Sequence, residues 1–114
     1  AGDVAMLLQL IPAINQKFGL TPEQIEELDS RHKVLIYAMA KKVGGDLVGR
    51  AITQRLVVAA LKKVSGRMAA KQVLKYVPFA GQAAAVALSV AAMMYLGNAH
   101  VDACYEIANE AIRK

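Results

Sequence analysis

The stretch Tyr76–Ala99, YVPFAGQAAAVALSVAAMMYLGNA, contains no charged side chain. At ~1.5 Å per residue, a helix of this length reaches the thickness of a bilayer core. Its composition argues against a span, because alanine dominates, Pro78 and Gly81 sit near its start, and bulky lipid-facing side chains are few. It reads instead as a helix buried among other helices. Gly81, Ala85, Ser89 and Met93 recur every four residues along it, and small side chains on such a ridge let a second helix approach closely. The expectation is an all-α fold, a compact bundle of five to six helices around this central Ala-rich helix.

The flanking sequence supplies the other helices. From Asp3 to Phe18, the residues Val4, Leu7, Leu8, Ile11, Ile14 and Phe18 are spaced by threes and fours, which predicts an amphipathic helix that Pro12 bends or breaks and Gly19 stops. Thr21, Pro22 and Gln24 form a helix start with a capping box. The helix they open is expected to run through Leu28, Leu35, Ile36 and Met39 to Gly44 and Gly45. A third, from Asp46 to Val64, has little polar face and reads as central. A shorter segment covers Arg67 to Val77. After a break or kink at Gly97 and Asn98, the last helix is expected to bury Val101, Cys104, Tyr105, Ala108 and Ile112.

Length and composition fit one helical domain over residues 1–114, with Ala1 and Gly2 read as a remnant in front of a fragment of a longer protein. Apolar residues make up 56% of the chain and aromatic residues 5%, so the interior is built from aliphatic side chains and Met. The lone Cys104 makes no internal disulfide, and a reducing compartment is the simplest setting.

Charge is segregated. Between Arg31 and Lys75 stand eleven basic residues and one acid, Asp46. Such a belt attracts an anionic surface, and Lys41, Lys42, Lys62, Lys63, Arg67, Lys71 and Lys75 are the expected contacts. Aromatic side chains do not interleave with it and no helix-turn-helix pattern is present, so nucleic acid is not indicated.

Catalytic patterns fail on their chemistry. Gly44–Ala51 has the glycine spacing of a phosphate-binding loop, but Arg50 replaces the required Lys and Ala51 the required hydroxyl. His100, Asp102 and Cys104 lie close in sequence, yet residues two apart point in nearly opposite directions on a helix. His100 therefore reads as a capping residue and Cys104 as a core thiol. No catalytic, cofactor or metal site is expected, and the chain is not read as an enzyme.

The segment Leu74-Lys75-Tyr76-Val77-Pro78-Phe79-Ala80-Gly81-Gln82, followed by Tyr95-Leu96-Gly97-Asn98-Ala99, resembles the YcjF-type bacterial helical domain of unknown function found beside small GTP-binding domains. Leu7–Leu20, with Gln16-Lys17-Phe18-Gly19-Leu20, resembles the start of that domain. The apolar Pro-x-x-Gly entry is also similar to one in the EcsC-like family. The resemblance implies a non-catalytic interaction module, cytoplasmic or peripheral to the inner membrane. It would couple a GTP-binding domain, in the same chain or another, to a protein partner or an anionic membrane surface. A different reading is a membrane-inserting or pore-forming domain that uses the 76–99 hairpin.

Overall fold

The computed structural model describes residues 2–43, 47–67 and 84–113. These residues form helices joined by turns, with no strand among them. The helices are α1 (Gly2–Phe18), a single short turn α2 (Pro22–Glu26), α3 (Ser30–Val43), α4 (Gln54–Arg67) and the long α5 (Ala84–Arg113). At ~1.5 Å per residue the 30 residues of α5 extend about 45 Å, and the molecule is 52 Å along its longest axis.

The helix boundaries follow from local chemistry. α1 ends in a Schellman turn: Gly19, at φ +75°, donates to Gln16 O, and Leu20 donates to Asn15 O at 2.8 Å. Thr21 then caps α2, its Oγ1 accepting from Gln24 N while Gln24 Oε1 accepts from Thr21 N. The helix expected to continue from here stops at Glu26. Asp29 starts a new one, its carboxylate accepting from His32 N at 2.8 Å and its carbonyl from Lys33 N. One expected helix is therefore two, because a strong N-cap in mid-sequence outcompetes continuation.

The expected third helix is also shorter. Turn residues 47–50 precede it, and Gly49 there adopts φ +68°, outside the helical region. Thr53 then caps α4, accepting from Leu56 N through its hydroxyl and from Val57 N through its carbonyl. α4 buries Val57 fully and leaves much of its surface in solvent, so it is not the central helix its composition suggested. Neither helix is broken at these positions, since α1 runs through Pro12 and α5 through Gly97 and Asn98. Packing on both sides of these residues outweighs their weak helix propensity.

α5 packs against α1, α3 and α4, and α1 also packs on α4. α1 and α5 run in the same direction: Leu10 lies beside Gly97, while Asn15 lies beside His100 and Cys104. Two apolar clusters fill the interior. One gathers Leu7, Ile11, Leu47, Val57 and Leu96, and the other Leu20, Ile25, Ile36, Ala40, Val48, Cys104 and Ile107. Each fully buried aliphatic side chain contributes about 1.5–3 kcal/mol.

The last helix corrects its own expectation. Cys104 is buried and Ala108 partly so, but Val101 is partly exposed, Tyr105 is 63% exposed and Ile112 85%. The inward face is instead Leu96, His100, Cys104 and Ile107. α5 carries two apolar stripes, and periodicity alone does not choose between them.

The two left-handed glycines differ in their surroundings. A Cβ on Gly19 would meet nothing within 4 Å, whereas one on Gly49 would lie 2.8 Å from Ile25 Cδ1 and 3.1 Å from Tyr37 Cε1. Gly19→Ala should cost about 1 kcal/mol from backbone strain alone, and Gly49→Ala about 2–4 kcal/mol because overpacking adds to it. Urea unfolding of the two variants measures the difference; equal losses would contradict it.

Candidate functional site

A polar cluster sits where the two apolar clusters meet. Asn15, only 1% exposed, projects from α1 toward α5 and the 47–50 turn. Its Nδ2 donates to Leu47 O at 3.0 Å. A carbonyl only accepts, so the amide orientation is fixed and Oδ1 faces α5. There, His100 Nε2 lies 2.8 Å away and Cys104 Sγ 3.6 Å away. Because Oδ1 is an acceptor, His100 carries its proton on Nε2, and the thiol donates to the other lone pair. Main-chain bonds close the unit: Leu20 N donates to Asn15 O, and Gly49 N to Leu20 O. Among the described residues no buried side-chain nitrogen or oxygen lacks a partner.

Cys104 Sγ and His100 Nε2 are 3.5 Å apart, and with Asn15 they assemble the residue types of a Cys-His-Asn nucleophilic site. The arrangement does not perform that chemistry. Such a triad uses one imidazole nitrogen for the nucleophile and the other for the orienting amide, but here both partners address Nε2. Burial also pushes the Cys104 thiol up to about 12 and His100 down to about 4. The proton therefore stays on sulfur and off the imidazolium position, the reverse of an activated thiolate pair. Neither group is accessible, with Cys104 0% and His100 4% exposed. The expected core thiol is observed; the expected capping histidine is a buried crosslink instead.

His32 and Asp102 stand apart from this cluster. His32 Nδ1 pairs with Asp29 Oδ1 at 2.6 Å on the surface, and the hydrogen bonds from His32 hold the Asp29 carboxyl below its usual range. Asp102 is exposed on the outer side of α5. No three His, Cys, Asp or Glu side chains converge among the described residues. The glycine-rich 44–51 segment offers no phosphate cradle in its described part, where the Gly49 amide is committed to Leu20 O.

The basic residues have a different setting. Lys41 and Lys42 occupy the last turn of α3, Arg67 the last turn of α4, and Lys62 and Lys63 lie on α4; all five are exposed. Lys71 and Lys75 lie outside the described residues. Of the small-residue ridge, Gly81 also lies outside them, and Ala85 and Ser89 fall within the first turns of α5. Met93 is half-buried against the Leu7–Leu96 cluster. No described helix is long and apolar enough to cross a membrane.

A groove of about 340 Å³ runs between α1 and α5, lined by Met6, Leu10 and Ile14 on one side and Met94, Gly97 and Val101 on the other. Compared with known proteins, the chain matches no family model, no curated protein and no solved structure.

Asn15 belongs to no motif in the sequence. Its signal was position, four residues after Ile11 and three before Phe18 on the apolar stripe of α1. A polar side chain at such a place is buried, and burial obliges it to find partners.

Because folded His100 holds its proton more weakly than the usual 6.5, this residue's contribution to stability is complete above about pH 6.5. It falls as the pH drops toward about 4, for a total of roughly 3 kcal/mol. Asp29, whose carboxyl is held below the usual 3.8 by its hydrogen bonds from His32, keeps its contribution above that pH and loses it only below, outside that window. His100→Gln, whose amide can donate to Asn15 Oδ1, should flatten the decline in unfolding free energy between pH 6.5 and 4. An unchanged slope would show that His100 is not its source.

Proposed function

We propose that this chain is a non-catalytic helical interaction module that works with a GTP-binding domain and contacts an anionic membrane surface through the basic ends of α3 and α4. The carrying observation is the exposed set Lys41, Lys42, Lys62, Lys63 and Arg67, on two helices that contain no carboxylate. Each such cation contributes about 1 kcal/mol beside an anionic bilayer and little beyond a Debye length. On this reading the alanine-rich first half of α5 is the spine of a five- to six-helix bundle, and the basic ends are its working surface. The link to a GTP-binding domain rests on the likeness to the YcjF-type domain over 7–20 and 74–99.

The buried, protonated Cys104 and neutral His100 support a scaffold role for this cluster of catalytic residue types. Phosphatidylcholine vesicles with and without phosphatidylglycerol test the membrane contact in sedimentation assays. Binding is expected only to the anionic vesicles, weakening as salt is raised, and falling at least tenfold in a Lys41→Glu, Lys42→Glu, Lys62→Glu variant. Equal binding to neutral vesicles, or none to either, would remove the reading.

A further inference from the structure

We propose that the outer face of α3 enters the lipid interface, seating Val34 and Tyr37 between the headgroups and acyl chains of an anionic bilayer while Arg31, Lys41 and Lys42 stay at the phosphates. Insertion of this kind rests on the membrane contact proposed above and supplies its apolar half. A helix on the surface of a globular protein ordinarily turns charged or polar side chains outward. α3 does not. Ile36 and Ala40 face the core, at 4% and 7% exposure. The opposite side carries Val34, Tyr37, Ala38 and Lys41, at i, i+3, i+4 and i+7, which makes one continuous strip. All four are exposed, Val34 at 69% and Tyr37 at 45%. The middle of the strip is thus apolar and its cations stand toward the ends, Arg31 one turn before Val34, and Lys41 and Lys42 one turn after Ala38.

Charge and shape favour a lipid surface as the occupant. α3 has no carboxylate from Ser30 to Val43. The two acids nearest its start are engaged, Glu26 with Lys33 at 3.0 Å and Asp29 with His32 at 2.6 Å. Glu23 and Glu27 also precede that start, so the strip grows more positive toward its Lys41 end. α3 packs on α5, and its outer strip stands in solvent as a ridge. A peptide docks in a groove or on a sheet edge. A lone ridge fits the soft boundary of a bilayer, where Lys and Arg stems lie along apolar surface and their heads reach phosphate. Tyr belongs at the same depth, having an apolar ring and a polar tip. The ring of Tyr37 is supported from behind by the 47–50 turn, where a Cβ on Gly49 would lie 3.1 Å from Tyr37 Cε1.

The chain contains no Trp, so a single introduced Trp reports the depth of its own position. In the full chain, Val34→Trp is expected to bind phosphatidylcholine vesicles containing phosphatidylglycerol with its emission shifted to the blue and quenched by lipids brominated on their acyl chains. Tyr105→Trp, on α5, is expected to bind the same vesicles with its emission unshifted. Val34→Ser should weaken binding at least about threefold with the same dependence on salt, because it removes apolar contact and no charge. Its circular dichroism should be unaltered at a site already in solvent. Lys41→Gln combined with Lys42→Gln should instead flatten the salt dependence. Vesicle binding without a blue shift at position 34, or indifferent to Val34→Ser, overturns the insertion of α3 and leaves the electrostatic contact standing. A blue shift at position 105 alone overturns it by assigning insertion to α5. A shift at position 34 on adding polyglutamate but not vesicles overturns it by assigning the face to an acidic protein. Absence of binding to any vesicle removes both readings.

Discussion

The hydrogen bonds of Asn15 are the constraint on which the packing depends. Its main-chain carbonyl closes the α1 turn through Leu20, its amide nitrogen holds Leu47, and its amide oxygen takes His100 and Cys104 from α5. One side chain thus joins three segments separated by as many as 89 residues in sequence. Apolar contacts supply most of the stabilising free energy, but they are nondirectional and tolerate sliding. A buried amide has one low-energy orientation, and any sliding of α1 along α5 would leave donors and acceptors unpaired in a dry interior. The same burial that fixes this lock keeps its Cys-His pair chemically silent.

Helix positions were legible where the determinant is local. The Thr21–Gln24 capping box, the stop at Gly19 and the apolar stripe of α1 depend on neighbours a few residues apart, and the structure has each of them. The split at Asp29 and the late start of α4 at Thr53 depend on equally local caps that compete with a continuous apolar pattern, and pattern alone favours continuation. Pro12 and Gly97 failed as breakers for the opposite reason, since tertiary contacts hold both helices through them. The candidate site was least legible. Asn15 meets His100 and Cys104 only once α1 and α5 lie side by side, and nothing in the spacing of either helix encodes that pairing.

The outer surface divides along the same lines. Basic ends of α3 and α4 lie on elements without carboxylates, while the α5 rim carries Asp102 and Glu106 beside an apolar seam. Val101, Tyr105 and Ile112 have the spacing of a core face, which predicts burial. Their exposure shows that core spacing alone does not decide which stripe of α5 faces the interior.

Equilibrium unfolding combined with amide hydrogen exchange in Asn15→Leu is the decisive measurement. Leu keeps the branched shape of the Asn side chain but leaves Leu47 O and His100 Nε2–H without their partner. A loss of about 2–4 kcal/mol is expected, with faster exchange at the Leu20 and Gly49 amides than global destabilisation alone produces. An Asn15→Leu protein as stable as the parent, with both amides as protected as before, would show that apolar packing alone sets how α1 lies on α5.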